Sequence, residues 1–202
     1  VAATASAVQG GDSRDFWRTS CGVSGAGKPA GQAVALDSTS MSSAIDVAVI
    51  GVGLVGSAVL KQLATVPSLS ALKVVALQNS RKTLLAAPGQ HLALDHWQAQ
   101  LESGSSPALS LEQLVSELQA IQAKNRRHIA VVDNTSNDTV AGFYPSFLRA
   151  GFSVVTPNKK AFSGSVDLFS AMEEAKESDT RPLVYQESTV GAGLPVISTL
   201  KD

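Results

Sequence analysis

A single cysteine, Cys21, in 202 residues leaves an internal disulfide nothing to join, which excludes a disulfide-stapled secreted scaffold. Neither sign of charge predominates, because Lys and Arg number 16, Asp and Glu number 17, and the cations are scattered. A nucleic-acid backbone or an anionic membrane surface would call for a basic footprint, so neither is expected as a partner. No apolar run approaches the ~20 residues needed to span a bilayer. Histidine is scarce too: His91 and His96 share a loop, His128 is far along the chain, and none has metal-ligand spacing. Aromatic residues make up only 5% of the chain, but apolar residues reach 44%, enough for one substantial core or one and a fraction. These absences suit a reducing compartment, and cytoplasmic localisation is expected.

Residues 1–43 are rich in Ala, Gly and Ser and keep neither a helical nor a strand period, so they read as a disordered or non-native leader. Arg14 and Arg18 alternate with Asp12 and Asp15, unlike a signal peptide, and Met41 stands just ahead of the first apolar run as a natural start. Gly25-Ala-Gly-Lys28 superficially resembles a phosphate-binding loop. It lacks the first glycine at the required offset, a Ser or Thr after Lys28, and a preceding strand.

From Ile45 onward short apolar runs alternate with amphipathic stretches. Ile45–Ile50, Lys73–Leu77, Ile129–Val132, Ser153–Val155 and Leu183–Tyr185 are rich in Val and Ile and bounded by turn residues, the pattern of buried parallel strands. Helices are expected over Val55–Ala64, Leu111–Lys124, Asn137–Ala150 and Val166–Ser178. Ser110 and Gln113 form a capping-box pair at the start of the second, and Gly151 ends the third as a left-handed cap. Strands alternating with such helices predict an α/β fold with a doubly wound parallel sheet. The expected organisation is a leader over 1–43, a dinucleotide-binding domain over 44–182, and the start of a second α+β domain over 183–202.

Gly51-Val-Gly-Leu-Val-Gly56 follows the first strand and opens the first helix. In that position Gly51 permits a tight turn, Gly53 lets backbone approach a pyrophosphate, and Gly56 lets helix pack on strand. Amides at the helix start then face the phosphates. The second strand leads into Leu77-Gln-Asn-Ser-Arg-Lys82, where no acid is present to bind an unphosphorylated adenosine ribose. Arg81 and Lys82 can instead meet a 2′-phosphate, which favours NADP(H) over NAD(H), with Ser80 and Arg81 as the contacts. The same pair also reads as the solvated start of a helix, a reading left open for Lys82 above all.

Asp133-Asn-Thr-Ser136 and Thr156-Pro-Asn-Lys-Lys160 each follow a buried strand, which puts them at the carboxyl edge of the sheet. Thr135 and Ser136 can hydrogen-bond a ligand there or simply begin a helix. One of the lysines can reach substrate or phosphate while the other is a surface charge. Glu187-Ser-Thr-Val-Gly-Ala-Gly-Leu-Pro195 is a second glycine loop, whose carbonyls and one carboxylate suit a hard cation. Its plain alternative is a turn made by Gly191 and Gly193, with Pro195 starting a helix.

Taken together, Val47 to Ser57, Val132 to Tyr144, Thr156 to Phe162 and Tyr185 to Ile197 resemble successive motifs of the monofunctional, NADP-dependent homoserine dehydrogenases, over a span from about Ile45 to the end. The resemblance implies reduction of L-aspartate 4-semialdehyde to L-homoserine, on the route to threonine, methionine and isoleucine. It implies cofactor contacts at Val52, Leu54, Val55, Gly56, Thr135, Ser136 and Lys159, with Lys159 near the reaction as the one catalytic candidate. A monovalent cation, usually sodium, would be held by Glu187, Val190, Ala192 and Leu194. Family members are homodimers.

The family's substrate-gripping acids and proton-donating lysine follow the second glycine loop, and none is found before Asp202. The expectation is therefore a cofactor-binding fragment with little or no turnover, leaving Val196, Ile197 and Leu200 partly uncovered. A catalytically silent NADP-binding or regulatory module is the alternative of another class. A dehydrogenase for a different small amino acid or semialdehyde is the alternative within enzymes.

Overall fold

The structure, a computed structural model, describes residues 44–201. The leader expected over 1–43 and the phosphate-loop look-alike within it lie outside the described residues.

At the centre is β1 (Ile45–Ile50), whose run of buried apolar residues is interrupted only by Asp46. A strand with both faces covered has no reason to alternate, and IDVAVI does not. It pairs in parallel with β2 (Leu72–Gln78) on one side and β5 (Ile129–Asp133) on the other. Beyond β5 the sheet continues in parallel through β6 (Ser153–Val155) to β7 (Val184–Tyr185). Beyond β2 come two antiparallel strands that the sequence pattern did not suggest, β3 (Lys82–Leu85) and β4 (Ser106–Pro107). The seven-stranded order is therefore β4-β3-β2-β1-β5-β6-β7. The doubly wound α/β expectation holds, in a mostly parallel sheet with one antiparallel flank. The sheet also runs past residue 182, because Val184 pairs with Val154 and Tyr185 with Val155, so the boundary expected at 183 falls inside it.

Helix α1 (Leu54–Thr65) links β1 to β2 and buries Leu60. The short helix α2 (Trp97–Ser103), unforeseen in sequence, buries Trp97 and Leu101. Helix α3 (Leu111–Asn125) has the anticipated capping box: Gln113 N donates to Ser110 Oγ at 3.2 Å, and Ser110 N donates to Gln113 Oε1 at 2.9 Å. It buries Leu114, Leu118 and Ile121.

The helix expected over 137–150 is broken into α4 (Asp138–Gly142) and α5 (Tyr144–Arg149). Pro145 explains the break, because it lacks an N–H and its ring would collide with the carbonyl four residues back. Gly151, at φ 82°, ends α5 as expected. Helices α6 (Lys160–Ser163), α7 (Val166–Lys176) and α8 (Val196–Lys201) complete the chain. At its end Leu200 is 81% exposed while Val196 and Ile197 are half-buried, so the uncovered apolar surface expected there is carried mostly by Leu200. Among the described residues no helix is long and apolar enough to cross a membrane.

From β1 the chain steps outward to β2, β3 and β4, then returns to β5 on the opposite side of β1. The carboxyl end of β1 is thus the point where strand order reverses, and in an open α/β sheet the crevice there is where ligands bind.

Candidate functional site

A cleft of ≈1190 Å³ opens at that reversal point, floored by Ile50 to Gly53 at the end of β1. Three glycines shape it, and the space around each separates their roles. Gly51 has φ 86°, and a Cβ there would lie 2.7 Å from Thr135 Cγ2. At Gly56 a Cβ would sit 2.0 Å from the carbonyl oxygen of Gly51, so the close approach of α1 to the turn admits no side chain. Gly53 differs, since a Cβ would meet nothing within 4 Å and its backbone is in an extended conformation any residue can adopt. The protein's own packing has no need of glycine at 53, whereas a ligand approaching the backbone from the cleft would.

Helix α1 begins at that spot. Its leading amides have no intrahelical partner, Gly53 supplies no side chain to cap them, and the first turn carries no acid. Together with the helix dipole this favours a bound anion. Leu54 and Val55 are exposed, at 92% and 50%. Val52 is tied into the turn by Ser57, whose hydroxyl donates to the Val52 carbonyl at 3.1 Å.

On the β2 side Asn79 organises the turn into β3, its Oδ1 accepting from Arg81 N at 2.8 Å and Lys82 N at 2.7 Å. This corrects the reading of Arg81-Lys82 as a helix start, for Lys82 opens an antiparallel strand and the turn is an Asx turn. It also separates the two cations. Lys82 pairs with Glu102 at 3.2 Å, while Arg81 is exposed and has no ion pair among the described residues. Ser80 lines the cleft. Behind the turn, buried Thr83 donates to Gln78 Oε1 at 2.8 Å and accepts from Leu109 N at 3.0 Å, and Gln78 Nε2 donates to the Leu109 carbonyl at 3.1 Å. That network fixes the 108–110 segment as the far wall.

On the β5 side Thr135 and Ser136 line the cleft as expected, and Asn137 caps α4 by accepting from Thr139 N at 2.7 Å. The helix start is served by Asn137, whose own N–H donates to Thr135 Oγ1 at 3.1 Å, and Thr135 and Ser136 lie before that helix on the cleft wall. The buried Nδ2 of Asn134, near Gly56, has no partner among the described residues.

Sequence reasoning missed what holds this segment in place. Asp133, fully buried, accepts from Thr135 N at 2.8 Å, Tyr144 OH at 2.6 Å and Asn158 Nδ2 at 3.1 Å. Thr156 Oγ1 donates to the Asp133 carbonyl at 2.9 Å and accepts from Asn158 N at 2.8 Å. Burial, followed by the Asp133 charge, pushes the Tyr144 phenol well above its usual range, so it stays a donor. A polar residue ending each of two adjacent buried strands, Asp133 on β5 and Thr156 just past β6, was the available signal. The lysines follow directly: Lys160 pairs with Asp138 at 3.3 Å, whereas Lys159 is exposed and has no ion pair among the described residues. Lys159 does not line the cleft itself.

In the second glycine loop, Glu187–Thr189 forms a short 3-10 turn, with Gly191 at φ 70° and Ala192 at φ 53°. The Glu187 carboxylate faces the start of α8, accepting from Ile197 N at 2.9 Å and from Ser198 N at 3.1 Å. The Leu194 carbonyl accepts from Val196 N at 2.9 Å. The donor set is all oxygen, as a hard cation requires, but Glu187 and Leu194 already serve the helix, while Val190 and Ala192 contribute only backbone oxygens. Among the described residues no group of three or more His, Cys, Asp or Glu side chains could hold a metal ion.

The family model for the homoserine dehydrogenase NAD-binding domain matches residues 51–186. The chain is 44% identical over 168 residues to the homoserine dehydrogenase of Emericella nidulans, covering 80% of this chain and 44% of that one. To the Saccharomyces cerevisiae enzyme it is 38% identical over 159 residues, covering 78% and 43%. Among solved structures, a Candida auris protein of unknown function matches with a TM-score of 0.70 at 38% identity, over 79% of this chain and 43% of that one. A hyperthermophilic archaeal homoserine dehydrogenase in complex with NADPH shares the fold, with a TM-score of 0.57 at 24% identity, over 77% and 47%. The chain thus spans less than half the length of the relatives it matches.

Proposed function

The chain belongs to the homoserine dehydrogenase NAD-binding domain family, and from that premise we propose that it binds NADP(H) in the cleft over β1, as the cofactor-binding part of an oxidoreductase that reduces L-aspartate 4-semialdehyde to L-homoserine. The observation that carries this reading is the contrast between Gly53, whose missing side chain leaves open space, and Gly51 and Gly56, whose missing side chains are required by the fold. A pyrophosphate against Gly53 would meet the uncapped amides of α1. The adenosine half then lies toward Ser80, with Arg81 next to it in the chain but outside the cleft lining, and the nicotinamide half toward Thr135 and Ser136, because Ser80 and the Thr135-Ser136 pair line opposite sides of the β1 turn.

Preference for NADP(H) follows from charge. The segment after β2 has no carboxylate at Gln78 to Arg81 to repel a 2′-phosphate, and Arg81 is uncommitted while Lys82 is held by Glu102. The fork of donors on a guanidinium suits a phosphate better than a ribose hydroxyl. Bound nicotinamide supplies a hydride to the substrate aldehyde. Lys159, exposed and without an ion pair among the described residues, is available to touch cofactor or substrate, whereas its neighbour Lys160 is engaged with Asp138.

A monovalent cation at Glu187, Val190, Ala192 and Leu194 is a further part of the proposal. It rests on the all-oxygen donor set, and sodium would have to share Glu187 with the α8 amides. Parallel calorimetric titrations with NADPH and NADH test the central reading. NADPH should bind at least about tenfold more tightly. Equal affinity, or tighter NADH, would remove the case for Arg81.

A further inference from the structure

We infer that Asp133 is a positioning residue: its buried carboxylate joins the segment carrying Thr135 and Ser136 to the segment carrying Lys159, so that both meet the nicotinamide half of the cofactor as one preset surface. The inference rests on the cofactor reading above and adds a residue and a role to it. Three donors converge on this carboxylate, one from each element that must be aligned. Thr135 N, at 2.8 Å, belongs to the segment that lines the cleft. Asn158 Nδ2, at 3.1 Å, belongs to the segment leading to Lys159 and also reaches the Asn137 carbonyl at 3.2 Å. Tyr144 OH, at 2.6 Å, comes from α5, which packs against α4 and β6.

Asn158 is the link to the lysine. While its Nδ2 is held by Asp133, its Oδ1 accepts from Lys160 N at 3.2 Å, so the backbone on either side of Lys159 is tied down. Asp133, Tyr144 and Thr156 are fully buried and Asn158 is 3% exposed, so water does not compete for these bonds. Sheet pairing alone would not fix the loops. The β5–β6 ladder ends at Val132 and Val155, and the residues that matter lie beyond it.

Replacing the carboxylate by its amide breaks the arrangement in a directed way. In Asp133→Asn the remaining oxygen can still accept from Thr135 N, but the new NH2 then faces Asn158 Nδ2, donor against donor. Turning the Asn158 amide over would oppose its oxygen to the Asn137 carbonyl and put its NH2 against Lys160 N. Either way the Lys159 segment is released while the Thr135 turn survives. Tyr144→Phe removes one donor and leaves the Asn158 link in place.

The test uses two ligands on the whole chain: NADPH, and 2′,5′-ADP, which has the phosphorylated adenosine but no nicotinamide. In Asp133→Asn, NADPH should bind on the order of tenfold more weakly while 2′,5′-ADP binding is unchanged. Tyr144→Phe should keep a ratio of the two affinities close to that of the wild type. Equal weakening of both ligands would make Asp133 a support of the fold only, and unchanged NADPH affinity would deny it any part; each overturns the inference. Should Asp133→Asn not fold, Asn158→Ala severs the same link with Asp133 still held by Tyr144 and Thr135, and the same pair of outcomes decides. A wild-type chain that binds neither ligand would overturn the cofactor reading and this inference with it, a failure told apart by appearing before any substitution is made.

Discussion

Substituting Gly53 by alanine separates a ligand's requirement from the fold's. The added methyl would meet no protein atom within 4 Å, and the backbone at φ −71°, ψ −152° is open to any L-residue. Stability should therefore change by no more than ~1 kcal/mol, the balance between a poorer helix cap and a less flexible unfolded chain. For a domain of this size that is a melting-temperature change within ~4 °C. Binding is another matter, because the methyl would occupy the space through which a pyrophosphate reaches the amides of α1. Each hydrogen bond to a charged group is worth about 1.5–3 kcal/mol, so losing even one weakens NADPH binding roughly tenfold to a hundredfold. Gly56→Ala is the contrasting control: its methyl would lie 2.0 Å from the Gly51 carbonyl oxygen, and α1 would have to back away from the turn. That costs about 1–3 kcal/mol of overpacking, so the melting temperature falls by several degrees. Circular-dichroism melts and NADPH fluorescence titrations read both quantities. Wild-type affinity in Gly53→Ala, or a loss of stability as large as in Gly56→Ala, would refute the assignment of that space to a ligand.

Arg81→Ala should weaken NADPH by about tenfold and leave NADH unchanged, while Lys82→Ala, which breaks a surface pair with the Glu102 carboxylate and a hydrogen bond to the Glu102 carbonyl, should move neither affinity by more than about twofold. A larger effect from Lys82 would reverse the assignment. Burial holds the His128 imidazole below its usual pKa, so the neutral ring is favoured in the folded state. Its contribution is complete above the unfolded value of about 6.5 and is lost as pH falls from there toward the folded value. Melting temperatures between about pH 7.5 and 5.5 should decline less in His128→Gln than in the wild type, and identical slopes would show that another group is responsible. Exchanging sodium for a bulky organic cation at constant ionic strength should lower the melting temperature of the wild type but not of Glu187→Gln. Equal responses would remove the cation from the account.

Much of the frame was legible because its signals are local. Continuous apolar runs such as IDVAVI mark doubly covered strands, and glycines at 51, 53 and 56 between strand and helix mark the turn. The antiparallel flank was not legible, because Lys82–Leu85 is too short to show a period and its pairing depends on an Asx turn that Asn79 makes with its own neighbours. The split between α4 and α5 was legible in principle from Pro145 but was overridden by the strong caps at Asn137 and Gly151. The buried network around Asp133 was invisible for a different reason. Its members come from three segments, at 133, 144 and 156–158, and only the fold brings them together. The same holds for Glu187, whose carboxylate serves a helix start ten residues further on.

Backbone amide shifts recorded with and without NADPH test the central claim most directly, since they report where the ligand touches as well as whether it binds. The largest changes should fall at Val52 to Val55 and at Thr135 and Ser136, with Ser80 and Arg81 following. Saturable binding that leaves those amides undisturbed, or no binding at all by a folded chain, would contradict it.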